Sequence, residues 1–320
     1  MLSHAPIPSG RVMTSIKPHG SYRHEAFLYR GEDDFLAGTV PFVSDGVAAG
    51  QPVMVAIRGS RLPALRSALG PAAAEVLFVD MTELGHNPAR IIPGWRRFLD
   101  QRCVDDQPVR GVGEPIWAGR RPAEVAEAQL HEALLNVAVD PDTPMWLRCP
   151  YDVESLTEAE LAEAARSHPI LVESGTLRGS CSYAGMQHVE DLFAADLPEP
   201  DQPVEGVALP ATPADVAALV DRHAGAAGLA ADRAARLSLA VRELTAAAIP
   251  GCRLRVWTEP GALVCEVRDP DPLSDPLAGR VQPCDGESDA RGLWLANQTC
   301  DLVQVRSAPG GSTVRVISWL

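Results

Sequence analysis

Two rhythms of apolar and polar positions run along this chain, and they change near its middle. Short unbroken apolar runs come first, "AFLYR", "PVMVAI" and "VLFVDM", each followed by a longer stretch of helical period. In "DDFLAGTVPFVSDGVAAG" the apolar marks are Phe35, Val43 and Val47, and Gly50 is the expected stop. A continuous apolar run such as "PVMVAI" is what a strand buried on both faces looks like. The alternation continues: "RLPALRSALG" helix, "PARIIPGWRRFLDQRC" helix, "VRGVGEPIW" strand then loop, "PAEVAEAQLHEALLNVAV" long helix, "MWLRCPYD" strand, "TEAELAEAARSHP" helix capped by Ser155 or Thr157. This predicts an α/β domain, a mostly parallel sheet with helices on both faces.

Four prolines and several acids in "DLPEPDQPVEGVALPATP" break the pattern and read as a linker. Beyond it, two helices come first, "PADVAALVDRHAGAAGL" and "AADRAARLSLAVRELTAAAI". Four closely spaced strands follow: "CRLRVWTE", "ALVCEVRD", "LVQVRS" and "STVRVIS". Glu259-Pro260-Gly261 and Pro309-Gly310-Gly311 sit where hairpin turns belong. That order predicts an α+β second domain. The expected division is a loose tail over 1–20, a first domain over 21–190, a linker over 191–205 and a second domain over 206–320.

Composition narrows the function. The chain of 320 residues carries 28 basic and 42 acidic side chains, a net charge of −14. A chain this acidic repels a phosphate backbone, and no basic patch offsets that, so direct nucleic-acid binding is not expected. The seven cysteines are scattered, without a CxxC pair or zinc spacing, which suits a reducing cytoplasm. The first 20 residues lack the apolar core of a secretory signal. No apolar run reaches the roughly 18 residues of a membrane span. No P-loop pattern and no Ser/His/Asp order stands out.

In the second half, Leu237, Val241, Leu244 and Ala248 form one helical stripe, the expected core face. Glu243 and Ala247 lie one turn apart beside it. Periodicity alone makes Glu243 a solvated helix glutamate. "AVRELTAAAI", "VRDPDP" and above all "ARGLWLANQTCDLVQVRSAPGGSTVRV" together resemble the GHKL, histidine-kinase-like ATPase domain of anti-sigma regulatory factors, of a type common in actinobacterial members. The resemblance covers about residues 206–320 and implies a two-layer Bergerat-type sandwich. It also implies roles. Glu243 matches the general base of kinase-active relatives. Asp269 matches the aspartate that accepts from the adenine amino group, and Thr313 a threonine near the adenine pocket. Arg291, Gly292 and Leu293 match the glycine turn beneath the phosphates.

Three positions depart from that pattern. Ala247 stands where the family has its magnesium-binding asparagine, and alanine offers no lone pair. Asp271 replaces a glycine and adds negative charge. Ala290 replaces another glycine. ATP and magnesium are thus the cofactors the resemblance implies, while these departures argue against turnover.

In the first half, "HEAFLY", "RGVGEPIW", "HEALLN" and "CPYD" resemble the MEDS sensory domain over about residues 21–190. MEDS followed by a GHKL domain resembles the RsbA family of anti-sigma regulators. The resemblance implies a small organic ligand, with His24, Glu114, Trp117, His131, Glu132, Tyr151 and Asp152 as the candidate pocket. In a parallel sheet such a pocket is expected outside the C-terminal strand ends, where "GEPIW" and "CPYD" could share a rim. His24 as a satisfied core histidine and Trp117 as packing remain the plain readings. His131 and Glu132, being adjacent on a helix, diverge by about 100° and make a poor dyad. A zinc site of His24, His131 and Cys149 stays open, but nothing in the spacing favours it.

The expected protein is a cytoplasmic regulator whose partners are a sigma factor or its antagonist, an anti-anti-sigma factor, with a homodimer also open. The alternatives are an active serine/threonine kinase that phosphorylates that antagonist, and a metabolite-binding module dimerised by its second domain.

Overall fold

The computed structural model describes residues 22–202, 204–283 and 288–320. The expected tail at 1–20 therefore lies outside the described residues, as does Cys284.

The first domain builds from β1 (Arg23–Tyr29), α1 (Gly31–Ala48), β2 (Val53–Ile57), α2 (Leu62–Leu69), β3 (Val76–Asp80), the short α3 (Met81–Leu84), α4 (Ile91–Arg102), β4 (Val109–Gly113), α5 (Pro122–Ala138), β5 (Met145–Asp152), α6 (Glu158–Ser167), β6 (Ile170–Glu173), β7 (Thr176–Gly179) and α7 (Gly185–Phe193). Its seven strands run in the order β3-β2-β4-β5-β1-β6-β7. Every pairing is parallel except β6 with β7. This is the predicted α/β layer, extended by β6, β7 and α7, which the apolar rhythm is too short to announce. All five residues of β2 are buried, as its unbroken apolar run requires. Gly50 ends α1 with φ of +68°, a conformation that costs glycine little. Thr157 is the N-cap of α6, and Glu160 closes a capping box with it.

Period-two alternation sorts the sheet into two faces. Phe27, Tyr29, Val53, Val55, Ile57 and Val112 pack with α1 and α2 on one side. Ala26, Leu147, Cys149 and Tyr151 face α4 and α5 on the other.

The second domain contains β8 (Glu205–Ala208), α8 (Pro213–Ala226), α9 (Ala231–Thr245), β9 (Arg253–Glu259), β10 (Ala262–Asp269), α10 (Ser288–Thr299), β11 (Leu302–Ala308) and β12 (Gly311–Trp319). Its antiparallel sheet has the order β11-β12-β10-β9-β8. Ala262 pairs with Glu259 and Ala308 with Gly311, so Pro260-Gly261 and Pro309-Gly310 are the hairpin loops. Helices α8 and α9 pack on one face of this sheet through Leu219, Val220, Leu237 and Val241 against Leu254, Leu263 and Cys265. The expected α+β architecture is therefore present.

The helix across "AVRELTAAAI" is shorter than its apolar stripe predicts. It ends at Thr245, and Ala246 and Ala247 form a turn. The Thr245 hydroxyl donates to the Val241 carbonyl at 2.9 Å. Pro250 follows, biasing Ile249 away from helix. No described helix is long and apolar enough to cross a membrane.

Candidate functional site

The C-terminal ends of β1, β2, β4 and β5 carry one polar network. Glu114, just past β4 and 1% exposed, accepts from the Arg58 backbone N–H at 3.0 Å and from its guanidinium at 3.1 Å. Arg61 lies 3.4 Å from the same carboxylate and 3.8 Å from Asp152, and it bonds the Tyr29 hydroxyl. Glu114 and Asp152 do therefore share a rim. Arg58 and Arg61 both engage the Glu114 carboxylate. Burial, with the Glu114 charge, pushes the Tyr29 phenol upward. Trp117 stands apart from both ends of this network, half-buried, with the Arg120 guanidinium over its ring at 4.3 Å.

The other candidates do not lie at the rim. His24 is the second residue of β1, and its side chain points beneath α5, where Glu132, Cys149 and His168 meet it. His24 Nε2 is 3.2 Å from Glu132 Oε2 and 3.4 Å from Cys149 Sγ. His168 Nε2 is 2.8 Å from Glu132 Oε2. All four residues are at most 1% exposed. Tyr151 packs edge-on to His168 with ring centroids 5.6 Å apart, and Tyr22 stacks on His24 at 5.9 Å. Burial and the neighbouring His168 lower the His24 pKa. Burial alone would raise the Glu132 carboxyl, but the His168 and His24 imidazoles hold it below its usual range. Burial, helped by Glu132, pushes the Cys149 thiol and the Tyr151 phenol well up.

His131 is not part of this cluster, and its charged neighbours are Glu132, Arg280, His24 and Arg120. Burial drives its pKa down to about 3, so it is a neutral ring. The candidate pocket is thus two separate groups on opposite faces of the sheet: Glu114 and Asp152 on one, His24, Glu132 and Tyr151 on the other. A set of His24, His131 and Cys149 does not assemble; Glu132 and His168 stand in the place of His131. His168 was not singled out by sequence, because nothing in "SHPI" marks it until β6 is placed beside β1. Asn136, which bonds His24 at 3.1 Å, had a usable signal, since it lies one helical turn after Glu132.

In the second domain the residues matched to a nucleotide site lie on α9 and the turn after it, at the end of β10, on α10 and on β12. Glu243 is exposed near the end of α9. Ala247 lies in the turn just beyond the helix. Asp269 accepts from the Asp271 backbone N–H at 2.8 Å, which folds the Pro270–Pro272 segment back on it. Asp271 itself is exposed. Thr313 pairs with Arg268, and Asp269 with Ser312. Alternation therefore places Thr313 on the sheet face opposite Asp269, in a cleft with Arg268, Arg306 and Glu199. Helix α10 begins at Ser288, which puts the Gly292 and Leu293 N–H groups inside the helical ladder rather than among the four free at its start. Arg291 is exposed; Ala290 lies within α10. Gly292 is also a packing position. A Cβ there would come within 2.9 Å of the Glu243 carbonyl oxygen, so this glycine lets α10 rest on the backbone of α9.

Sequence reading also missed the junction between the domains. Glu127 of α5, fully buried, receives Arg280 at 2.9 Å and Arg306 at 2.7 Å. Asn87 and Arg90 bond the Asn297 carbonyl at 3.2 and 2.7 Å, and Arg90 also takes the Cys300 carbonyl at 2.8 Å. A guanidinium there satisfies the free carbonyls at the C-terminal end of α10. His86 lies 3.2 Å from Asp301.

The molecule is thus a parallel α/β domain with a buried polar centre, joined through a charged junction to a helix-backed antiparallel sheet. Residues 23–169 match the MEDS family, described as MEthanogen/methylotroph, DcmR Sensory domain. Residues 207–318 match the family described as histidine kinase-like ATPase domain. The chain is a MEDS domain followed by a histidine kinase-like ATPase domain, an RsbA-like pairing that fits a regulatory protein. Comparison with curated proteins returned no match.

Proposed function

We propose that this protein is an anti-sigma type regulator in which the MEDS domain senses a signal and the kinase-like domain binds a sigma factor or its antagonist without turning over ATP. The observation that carries this reading is the state of the nucleotide residues. Ala247 offers no metal ligand and lies beyond the end of α9, Asp269 is engaged by its own loop, and the Gly292 and Leu293 N–H groups are spent within α10. Phosphoryl transfer relies on positioned charge and metal, and these residues offer neither together. Protein docking needs only a surface, which a fold can keep when its chemistry is gone.

The coupling route is α5. It contributes Glu132 to the buried centre and Glu127 to the junction, so a shift of this helix moves both. Ligand in the first domain then biases how the second presents its docking surface.

Calorimetric titration of Mg-ATP into the full chain, with Ala247→Asn alongside, tests the reading. Neither protein should bind at micromolar concentration, because one asparagine off the helix does not rebuild the site. Micromolar binding by the parent, or transfer of labelled phosphate to an antagonist protein that Glu243→Ala abolishes, would replace it with the kinase reading. Co-purification of a sigma factor or its antagonist with the full chain is the expected positive result.

A further inference from the structure

The buried face of α5 brings together more hydrogen-bond acceptors than donors. His24 Nδ1 lies 3.1 Å from Asn136 Oδ1. The amide cannot be turned round, because Asn136 Nδ2 donates to the Ser167 carbonyl at 2.8 Å. His24 Nδ1 must therefore carry the proton. His168 Nδ1 lies 2.8 Å from the Ala164 carbonyl, which only accepts, so it too is protonated. In its neutral form each ring is left with a bare lone pair at Nε2. Both lone pairs converge on Glu132, at 3.2 and 2.8 Å. An ionised carboxylate is also acceptor-only. Despite the short distances, neither Glu132 oxygen nor His168 Nε2 has a directed hydrogen bond among the described residues. Cys149 Sγ closes the group, and the four ligand atoms lie within 4.8 Å of one another.

The Cys149 thiol can donate to His24 Nε2 across 3.4 Å, but both Glu132 oxygens and His168 Nε2 are left without a donor among the described residues. Two imidazoliums would place like charges on rings whose centroids are 4.1 Å apart, in a dry site with one carboxylate to answer them. One proton shared by Glu132 and His168, with the Cys149 thiol donating to His24 Nε2, leaves the other Glu132 oxygen without a directed partner. A divalent cation satisfies all four atoms at once, and one carboxylate plus one thiolate balance its charge.

We propose that His24 Nε2, His168 Nε2, Cys149 Sγ and a Glu132 oxygen bind one divalent transition-metal ion of the zinc class. Two imidazoles and a thiolate suit a borderline ion and not magnesium or calcium, which prefer oxygen. Zinc bonds of about 2.0–2.3 Å imply ligand separations of about 3.3–3.7 Å in a tetrahedron; three separations here are 2.8, 3.2 and 3.4 Å and the whole set lies within 4.8 Å, so binding requires the side chains to adjust around the ion. Asn136 and the Ala164 carbonyl are the outer partners that fix each ring's tautomer, as metal-bound histidines generally require. Binding displaces the Cys149 thiol proton to solvent, and the ion takes its place on sulfur. Four protein ligands leave no open position, so the ion holds structure or reports on its own availability rather than activating water. Its ligands come from β1, α5, β5 and the entry to β6, so it pins the helix that carries Glu127 to the sheet.

Elemental analysis of the full chain from zinc-supplemented cells should give equimolar zinc. After chelation, cobalt(II) should give the visible bands of a tetrahedral site with a near-ultraviolet thiolate charge-transfer band. Cys149→Ser should remove the charge-transfer band, Cys181→Ser on the surface should leave it, and Asn136→Ala should weaken affinity about 10- to 100-fold. Circular dichroism checks that each variant folds. If Cys149→Ser does not fold, the Asn136→Ala affinity decides. A folded parent that takes up neither zinc nor cobalt, a charge-transfer band that survives Cys149→Ser, or an unchanged Asn136→Ala affinity overturns the assignment.

Discussion

Gly292 has no side chain because α9 leaves no room for one. Its hydrogen faces the Glu243 carbonyl oxygen, and a methyl group there would meet that oxygen at 2.9 Å. Backbone, unlike a flexible side chain, cannot step aside. Gly292→Ala should therefore destabilise the protein by about 1–3 kcal/mol, the usual range for overpacking. A denaturant midpoint lowered without a change in slope is the expected signature. The same residue shows the limit of reading roles from position. Sequence resemblance matched it to a turn under phosphates, yet the helix begins one turn earlier. Thr313 teaches a related lesson, since one step along a strand moves a side chain to the other face. His24, Glu132 and Cys149 could each be picked out as chemically notable residues. That they meet could not, because Cys149 is 125 positions from His24 and only the β1–β5 register joins them.

At the scale of elements, the unbroken apolar runs located the central strands, and cap residues placed the start of α6. β7 escaped because all four of its residues are exposed, which leaves no apolar signal. The end of α9 was misjudged because alanine continues a helical pattern that Pro250 cuts short. α5 is the element with most at stake. Glu127 is enclosed by Arg280 and Arg306, and removing one member of a buried ion group costs about 3–5 kcal/mol, because the others stay buried and unpaired. Glu127→Ala should lower the melting temperature accordingly. It should also speed hydrogen exchange in residues 270–283, the loop that bears Arg280, more than in β9. Equal acceleration in both would show that Glu127 supports the whole fold rather than that loop.

For the molecule as a whole, the change of rhythm near residue 200 was enough to separate two architectures. What joins them was not legible, because Glu127, Asn87 and Arg90 look like ordinary surface residues until the second domain covers them. The junction gives a pH dependence. Burial alone would raise the Asp301 carboxyl, but His86, the Trp319 N–H and Arg233 lower it below its usual value. A depressed carboxylate contributes stability that is fully present above its ordinary pKa. That stability is lost as pH falls through the lowered one. Stability should therefore hold through the neutral range and fall at strongly acidic pH, and Asp301→Asn should flatten that part of the curve. Thermal melts across pH 2–7 compare the two.

One apolar core runs without a break from Met54 and Trp95 in the first domain to Leu263 and Val316 in the second. A shared core makes the chain melt as one body, so calorimetry should give a single transition rather than two. It also limits recombination. Two families that could be spliced like beads on a string are here fused along a common seam. A foreign kinase-like domain grafted after residue 200 would have to bring its own arginines for Glu127 and its own helix end for Arg90, or leave the sensory half with an open wound.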